Sequence, residues 1–350
     1  MPADPERHNQ RTRRHAAGGR RGTPRRRAAA AVLAALSVAA AGCAAARTPT
    51  ASTTTTTAST TTTTVPTGTV AFGAPEAVAH GAGMASVSCA SATFCVAFDD
   101  AGGAFAYNGS SWTGPTVVGG TAVGQGTISV ACATATLCVA DPTGADDMVT
   151  WDGQSWSAPV TLDGANGIEG VGCAPSGYCA AVDGEGNSFE YQDGSWTRTA
   201  GDWGAVTDIS CVSTTFCMSS SGGLSQWNGS SWTTPSTYGV PTSFTGVSCP
   251  TAGFCTAVDE LGQALVWNGQ TWSAPTTIEP TGSPLTGVSC PTTSFCVAVD
   301  GHGGVVQWHD GTWTRTDVDG DTALTSVSCP TAAFCVAVDH SGAVVVGRAG

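Results

Sequence analysis

Fourteen of the fifteen cysteines fall into seven C-x5-C pairs: Cys89/Cys95, Cys132/Cys138, Cys173/Cys179, Cys211/Cys217, Cys249/Cys255, Cys290/Cys296 and Cys329/Cys335. Thiols at this spacing support two chemistries. They can oxidise across a tight hairpin, which brings the Cα atoms into bonding range, or supply thiolates to zinc. Zinc needs further ligands at regular places. After residue 70 there are four histidines, His80, His302, His309 and His340, and none recurs with the cysteines. Disulfides are therefore expected within each pair, each worth about 2 kcal/mol for closing a short loop. Cys43 is left over for another use.

Carboxylates form the second recurring group. Asp99, Asp183, Asp259, Asp300 and Asp339 each follow a "FCVAVD"-like segment, with Asp141 one place early and Ser221 in the fourth repeat. The usual context, D-x-x-G, is a turn in which the carboxylate accepts from backbone amides. One carboxylate per repeat also makes calcium the one cofactor to consider, although calcium needs six to eight oxygens close together. Asp317, Asp319 and Asp321 in "DVDGD" lack the full pattern of a cation loop. Carboxylates are numerous enough for acid–base work on glycosides, yet no pair stands out. No nucleophile elbow, P-loop or dinucleotide fingerprint lies in a strand–helix context. Candidate ligand contacts are the residues at or near breaks in the repeat: Trp203, Asp208, Glu169, Asp183 and Glu185, with His302 and His340 in equivalent turns. All are expected in second-turn or blade-to-blade loops, on one face.

The elements that position these residues follow from the period. First-cysteine spacings are 43, 41, 38, 38, 41 and 39, the length of four short strands with their turns. Alternating apolar and small polar residues, punctuated by Gly, Asn and Pro, mark β-strands and hairpins. The fourth strand carries Pro115, Pro159, Pro235 or Pro275, and proline belongs on an edge, so that strand is outermost. The seventh repeat stops at "GAVVVGRAG", without a fourth strand. A stray match, "AFGAPEAV", precedes the first repeat, with Phe72 in the tryptophan place and Pro75 in the proline place. The expected fold is all-β: a seven-bladed β-propeller with four antiparallel strands per blade, closed by an N-terminal outer strand in the last blade.

The third turns read "WNGSSW", "WDGQSW", "WNGQTW" and "WHDGTW". Asn-Gly and Asp-Gly are hairpin signals, and four-residue loops would set the flanking aromatics opposite one another. Packing is the expected role; a sugar-stacking surface is the functional alternative. These turns resemble a shortened Asp-box of sialidases and related propellers. In that family the box is a structural turn, so the resemblance implies fold rather than activity. Sialidase chemistry further needs an arginine triad. Here Arg198 and Arg315 share one outer-strand slot and Arg348 ends the chain, so convergence in a central pocket is not expected. The whole repeat also resembles repeats in exported proteins of high-GC Gram-positive bacteria.

Residues 1–42 read as an export signal: nine of thirteen arginines lie in the first 27 residues, followed by "AAAAVLAALSVAA", too short to span a bilayer. "AAGC" resembles the lipobox of bacterial lipoproteins, which implies lipidation of Cys43; Ala40 departs from the leucine usual there. An ordinary secretory signal is the alternative. Residues 43–69 are Thr-rich, with no apolar payload, and read as a disordered tether. Residues 70–350 are the propeller. From Cys43 onward the chain has four arginines, no lysine and 24 acidic residues. That balance excludes nucleic acid and anionic glycans or headgroups as ligands. The chain is expected outside the cytoplasm, membrane-held only through a lipid anchor or secreted, and monomeric. Its partner would be an extracellular protein or neutral glycan, bound without chemistry. A carbohydrate-active enzyme using carboxylates is the alternative, and a purely structural wall spacer a third reading.

Overall fold

The computed structural model describes residues 68–119, 127–162, 167–199, 206–221, 223–234, 243–309 and 311–350. Among them there are strands and turns but no helix. The strands form seven antiparallel sheets, each with four positions from the channel outward. Blade one runs Met84–Ser91, Phe94–Asp99, Gly103–Tyr107 and Trp112–Val117. The inner strands of blades two to seven are Ser129–Thr134, Ile168–Cys173, Val206–Ser213, Phe244–Thr251, Leu285–Thr292 and Leu324–Thr331. Each packs against the next and the last against the first, which closes the ring.

Blade seven ends at Ala343–Ala349, and the segment before blade one fills its outer position. Val70 pairs with Ala349 and Phe72 with Gly347; after the proline, Glu76 pairs with Val344. Val70 is 2% exposed. Gln307 of blade six binds both its backbone groups, accepting from the N–H at 2.9 Å and donating to the carbonyl at 3.0 Å. Glycine is required at position 347, because a Cβ there would stand 2.5 Å from Val70 Cγ1.

Proline shortens the outer strands of blades two and five, since it cannot donate to a ladder. After Pro159 and Pro275 only Val160–Thr161 and Thr276–Thr277 remain paired. Blades three and six lack that proline, and Ser195–Thr199 and Thr312–Asp317 run for 5 and 6 residues. Pro115 lies within Trp112–Val117, and Pro235 is outside the described residues.

All seven cysteine pairs are bridged within C-x5-C, with Cα atoms 3.9–4.1 Å apart: Cys89–Cys95, Cys132–Cys138, Cys173–Cys179, Cys211–Cys217, Cys249–Cys255, Cys290–Cys296 and Cys329–Cys335. Both halves of each bridge belong to the core. Of the first cysteines, Cys89, Cys211, Cys249, Cys290 and Cys329 are 5–8% exposed and share a cluster with their partners, while Cys132, Cys173 and Cys211 border the channel. The second, on the next strand, is fully buried in every blade: Cys95, Cys138, Cys179, Cys217, Cys255, Cys296 and Cys335 are each 0% exposed. These seven sulfurs are therefore core atoms that no ligand or metal can reach, and their role is packing as well as cross-linking. Cys95 lies among Phe334, Val336 and Val338 of the preceding blade. Cys138 packs with Val96 and Phe98, Cys217 with Tyr178 and Val182, and Cys255 with Met218 and Leu224. Cys179 joins Val139 and Met148, Cys296 joins Val258 and Ala264, and Cys335 joins Val297 and Val299. Seven disulfides fit an oxidising, extracytoplasmic compartment. Among the described residues no helix is long and apolar enough to cross a membrane.

The third-turn aromatics stand opposite one another, as in Tyr107/Trp112 and Trp227/Trp232, with ring centroids 5.2–5.7 Å apart. Trp151, Trp227 and Trp267 donate through Nε1 to carbonyls of the disulfide hairpin of their own blade. Asn108, Asp152, Asn228 and Asn268 close the turns by accepting from the amides two and three residues on.

The three arginines of the propeller do not converge. Arg348 donates to Tyr107 Oη at 2.8 Å and lies over the Phe334 ring. Arg198 donates to Asn187 Oδ1. Arg315 sits between two carboxylates whose side chains are wholly buried: its Nε is 2.9 Å from Glu279 Oε1 and 2.8 Å from Asp300 Oδ2. It also pairs with Asp317.

Candidate functional site in the central channel

An inner strand turns N–H groups toward the preceding blade, and they need partners there. The serine before the first cysteine supplies them. Ser88, Ser210, Ser248, Ser289 and Ser328 accept through Oγ from the N–H of Cys132, Cys249, Cys290, Cys329 and Cys89, at 2.9–3.0 Å. Two residues earlier, Ser86, Ser129 and Ser326 accept from Val130, Val171 and Val87. One place further back, Thr207, Thr286 and Thr325 donate to the carbonyls of Phe244, Leu324 and Met84 in the following blade. The letters T-x-V-S-C are thus a set of staples between blades. They line a polar channel with a cavity volume of about 380 Å3.

The staple pattern varies around the ring: Ala131 and Gly172 stand in the serine place of blades two and three, Gly246 and Gly287 in the earlier serine place of blades five and six, and its two carboxylate departures fall in blades three and four. Gly172 replaces the serine, and a Cβ there would lie 2.5 Å from the Ile209 carbonyl oxygen, so the two inner strands approach directly. Asp208 stands in the place of Ser86, Ser129 and Ser326. Its carboxylate accepts from Val247 N–H at 2.9 Å and Ile209 N–H at 2.8 Å. Burial outweighs those two donors and pushes the Asp208 carboxyl up to about 6. Glu169 takes the threonine place on blade three, and Thr127 Oγ1 donates to its Oε2 at 2.7 Å. Burial raises the Glu169 carboxyl, the Thr127 hydroxyl opposes the shift, and the charge of Asp183 adds to it.

The raised Asp208 value carries a testable sign. An acid with a higher folded than unfolded value binds its proton more tightly in the folded state, so stability falls as pH rises from 3.8 to about 6. Asp208→Asn keeps an acceptor for Val247 and removes the ionisation. Its melting temperature is expected to exceed the parent's at pH 7, with the gain vanishing near pH 4. A difference that does not change with pH, measured by calorimetry, would refute this.

Glu169 and Asp208 were expected in loops; they lie on inner strands and line the channel instead. Asp183 is fully buried, and its carboxylate accepts from Glu185 N–H, Asn187 N–H and Asn187 Nδ2. Glu185 is exposed at the tip of that turn. The turn abuts the channel mouth: a Cβ on Gly184 would be 3.5 Å from Glu169 Oε1. Glu169, Asp183, Glu185 and Asp208 therefore gather in one sector. His302 and His340 lie in the corresponding turns of blades six and seven, His302 with Nδ1 2.7 Å from Ser283 Oγ. Trp203 lies outside the described residues, as does Cys43.

The recurrent aspartates serve their turns. Asp99, Asp259, Asp300 and Asp339 each accept from the amides two and four residues on, and Asp141 accepts from Thr143, Gly144 and Asp146. Within "DVDGD", Asp319 holds its proton up to about 7, through burial and its hydrogen bond to the Asp339 carboxylate. Among the described residues no group of three or more His, Cys, Asp or Glu side chains could hold a metal ion.

These features define a seven-bladed β-propeller with a polar channel that is acidic on one side. No family model matches the chain, and no curated protein matches it. Solved structures share the fold at low identity. YCF48 bound to D1 peptide superposes with a TM-score of 0.62 and 13% identity, covering 80% of this chain and 100% of its own. A catalytically inactive virginiamycin B lyase from Staphylococcus aureus, with quinupristin, gives 0.66 and 7%, covering 78% and 98%. U3-55K gives 0.65 and 10%, covering 80% and 98%.

Proposed function

We propose that the chain is an exported binding or scaffold propeller that engages a protein or neutral glycan at the channel mouth, without chemistry of its own. Residues 1–42 direct export, Cys43 carries the lipid, and residues 43–69 hold the propeller off the membrane. One observation carries the binding reading: side chains that break the staple pattern, Glu169 and Asp208, meet in one sector of the channel cavity. A repeat kept regular for closure departs from regularity where a ligand would touch it. Propellers of this fold are found with a D1 peptide and with quinupristin, which supports ligand binding by such a ring.

The enzyme reading also has an observation in its favour. Two carboxyl groups with raised values border one cavity, and perturbed acids in a cleft are candidates for acid–base work. A panel of neutral oligosaccharides and envelope-derived peptides, offered to the parent, Glu169→Gln and Asp208→Asn, separates the two. Saturable binding without product, weakened about tenfold in either variant, is the expected result. Turnover lost in Asp208→Asn would establish the enzyme, and no saturable ligand would leave the wall spacer. Mass spectrometry of the mature N-terminus tests the anchor: a diacylglyceryl group on Cys43 is expected, and a terminus elsewhere would remove it.

A further inference from the structure

The outer halves of blades one and two enclose a groove of about 430 Å3, remote from the channel in the radial order of strands. Its origin is visible in the repeat. The third strand of blade one reads Gly103–Tyr107, and both Ala104 and Ala106 line the groove. One residue before the third-turn aromatic, or before Gly347 in blade seven, the other blades place Thr150, Glu190, Gln226, Val266, Gln307 and Val346. Blade six shows what such a side chain does: Gln307 crosses the junction and fills it by binding the backbone of Val70. Blade one leaves the same junction open.

The lining has a definite chemistry. Trp151 and Trp156 are half-buried, 5.6 Å apart, and packed on Phe94 and Phe98. Thr113, Thr116, Gln154 and Ser155 form an exposed polar rim, and Val117, 72% exposed, forms an apolar lip. Among the described residues no ionisable side chain borders the cavity, although the chain as a whole is strongly acidic. An uncharged cleft with an aromatic wall and neutral hydrogen-bonding rim suits a ligand with an apolar face and uncharged hydroxyls. We propose that this groove is a subsite for a neutral sugar residue, whose C–H face stacks on the tryptophan pair while its hydroxyls reach Gln154, Ser155 and the two threonines.

The site is separate from the channel, so it stands or falls independently of the reading above. The test uses the purified full chain and neutral trisaccharides of glucose, mannose, galactose and N-acetylglucosamine, with tryptophan fluorescence and saturation-transfer NMR as readouts. At least one trisaccharide is expected to bind saturably. Ala106→Gln, which installs the side chain that closes the blade-six junction, should weaken it about tenfold or more at an unchanged melting temperature. Saturation-transfer contacts from the trisaccharide to the Trp151 and Trp156 rings should persist in Glu169→Gln and Asp208→Asn and be lost in Ala106→Gln. If Ala106→Gln does not fold, the surface change Gln154→Ala decides in its place, with a loss of affinity expected. The proposal is overturned if no trisaccharide binds up to about 10 mM, if Ala106→Gln binds as the parent does, or if only peptides occupy the groove.

Discussion

Removing residues 1–77 will cost the propeller about 5 kcal/mol, and a peptide spanning residues 68–78, added in trans, will recover much of it. The estimate follows from what the segment covers. Val70 is wholly buried against Phe295, Val297 and Val345, with Phe72 beside it, and burying such side chains contributes roughly 1.5–3 kcal/mol each. Gln307, 8% exposed, loses both its hydrogen bonds to Val70, which together contribute about 1–3 kcal/mol net. The strand Ala343–Ala349 becomes an uncovered edge. Since domains are stable by only about 5–15 kcal/mol, a large fraction of the chains should unfold. Urea denaturation followed by tryptophan fluorescence checks this; an unchanged midpoint in the shortened chain would mean that the ring does not depend on the clasp.

Arg315→Met will destabilise the protein by about 3–5 kcal/mol. The guanidinium lies between Glu279, from the segment after blade five, and Asp300, from the second turn of blade six. Both carboxylates have fully buried side chains and also hold their turns: Glu279 accepts from Thr281 and Ser283, Asp300 from His302 and Gly304. Without the cation, two negative charges face each other out of water. Replacing the pair by apolar groups is often harmless, whereas removing one partner is not. Glu279→Gln in the Arg315→Met background should therefore restore part of the loss. A single-variant cost below about 1 kcal/mol, in the range of surface ion pairs, would show that the cluster is better hydrated than its burial implies.

The sequence is informative where geometry is local. The cysteine period counts the blades, Phe72 and Pro75 reveal the displaced outer strand, and Asn-Gly or Asp-Gly turns place the aromatics face to face, because each feature depends on residues within one hairpin. Inter-blade features are hidden. The C-x5-C spacing shows that Cys138 or Cys296 has a partner, but not that its sulfur is sealed between two sheets. The serine of "VSC" binds an amide some forty residues away, and no spacing inside one repeat shows this. Glu169 and Asp208 read as loop residues because the strand boundary is a matter of register: their alternation with Ile168 and Ile209 is the only hint that they point into the channel. The groove beside Ala106 is an absence of side chain, visible only once the equivalent place in each other blade has been identified.

The clasp also orders events in time. Val70–Phe72 emerges from the ribosome before any blade, yet its partner Ala343–Ala349 follows the other strands of all seven. The final blade must therefore be delivered before the ring can shut. Until then the third strand of that blade has no neighbour on its outer side, and pairing across so large a sequence separation is slow. Stalled or truncated intermediates would be open arcs prone to edge-to-edge association, so the pace at which the chain is completed becomes a determinant of yield.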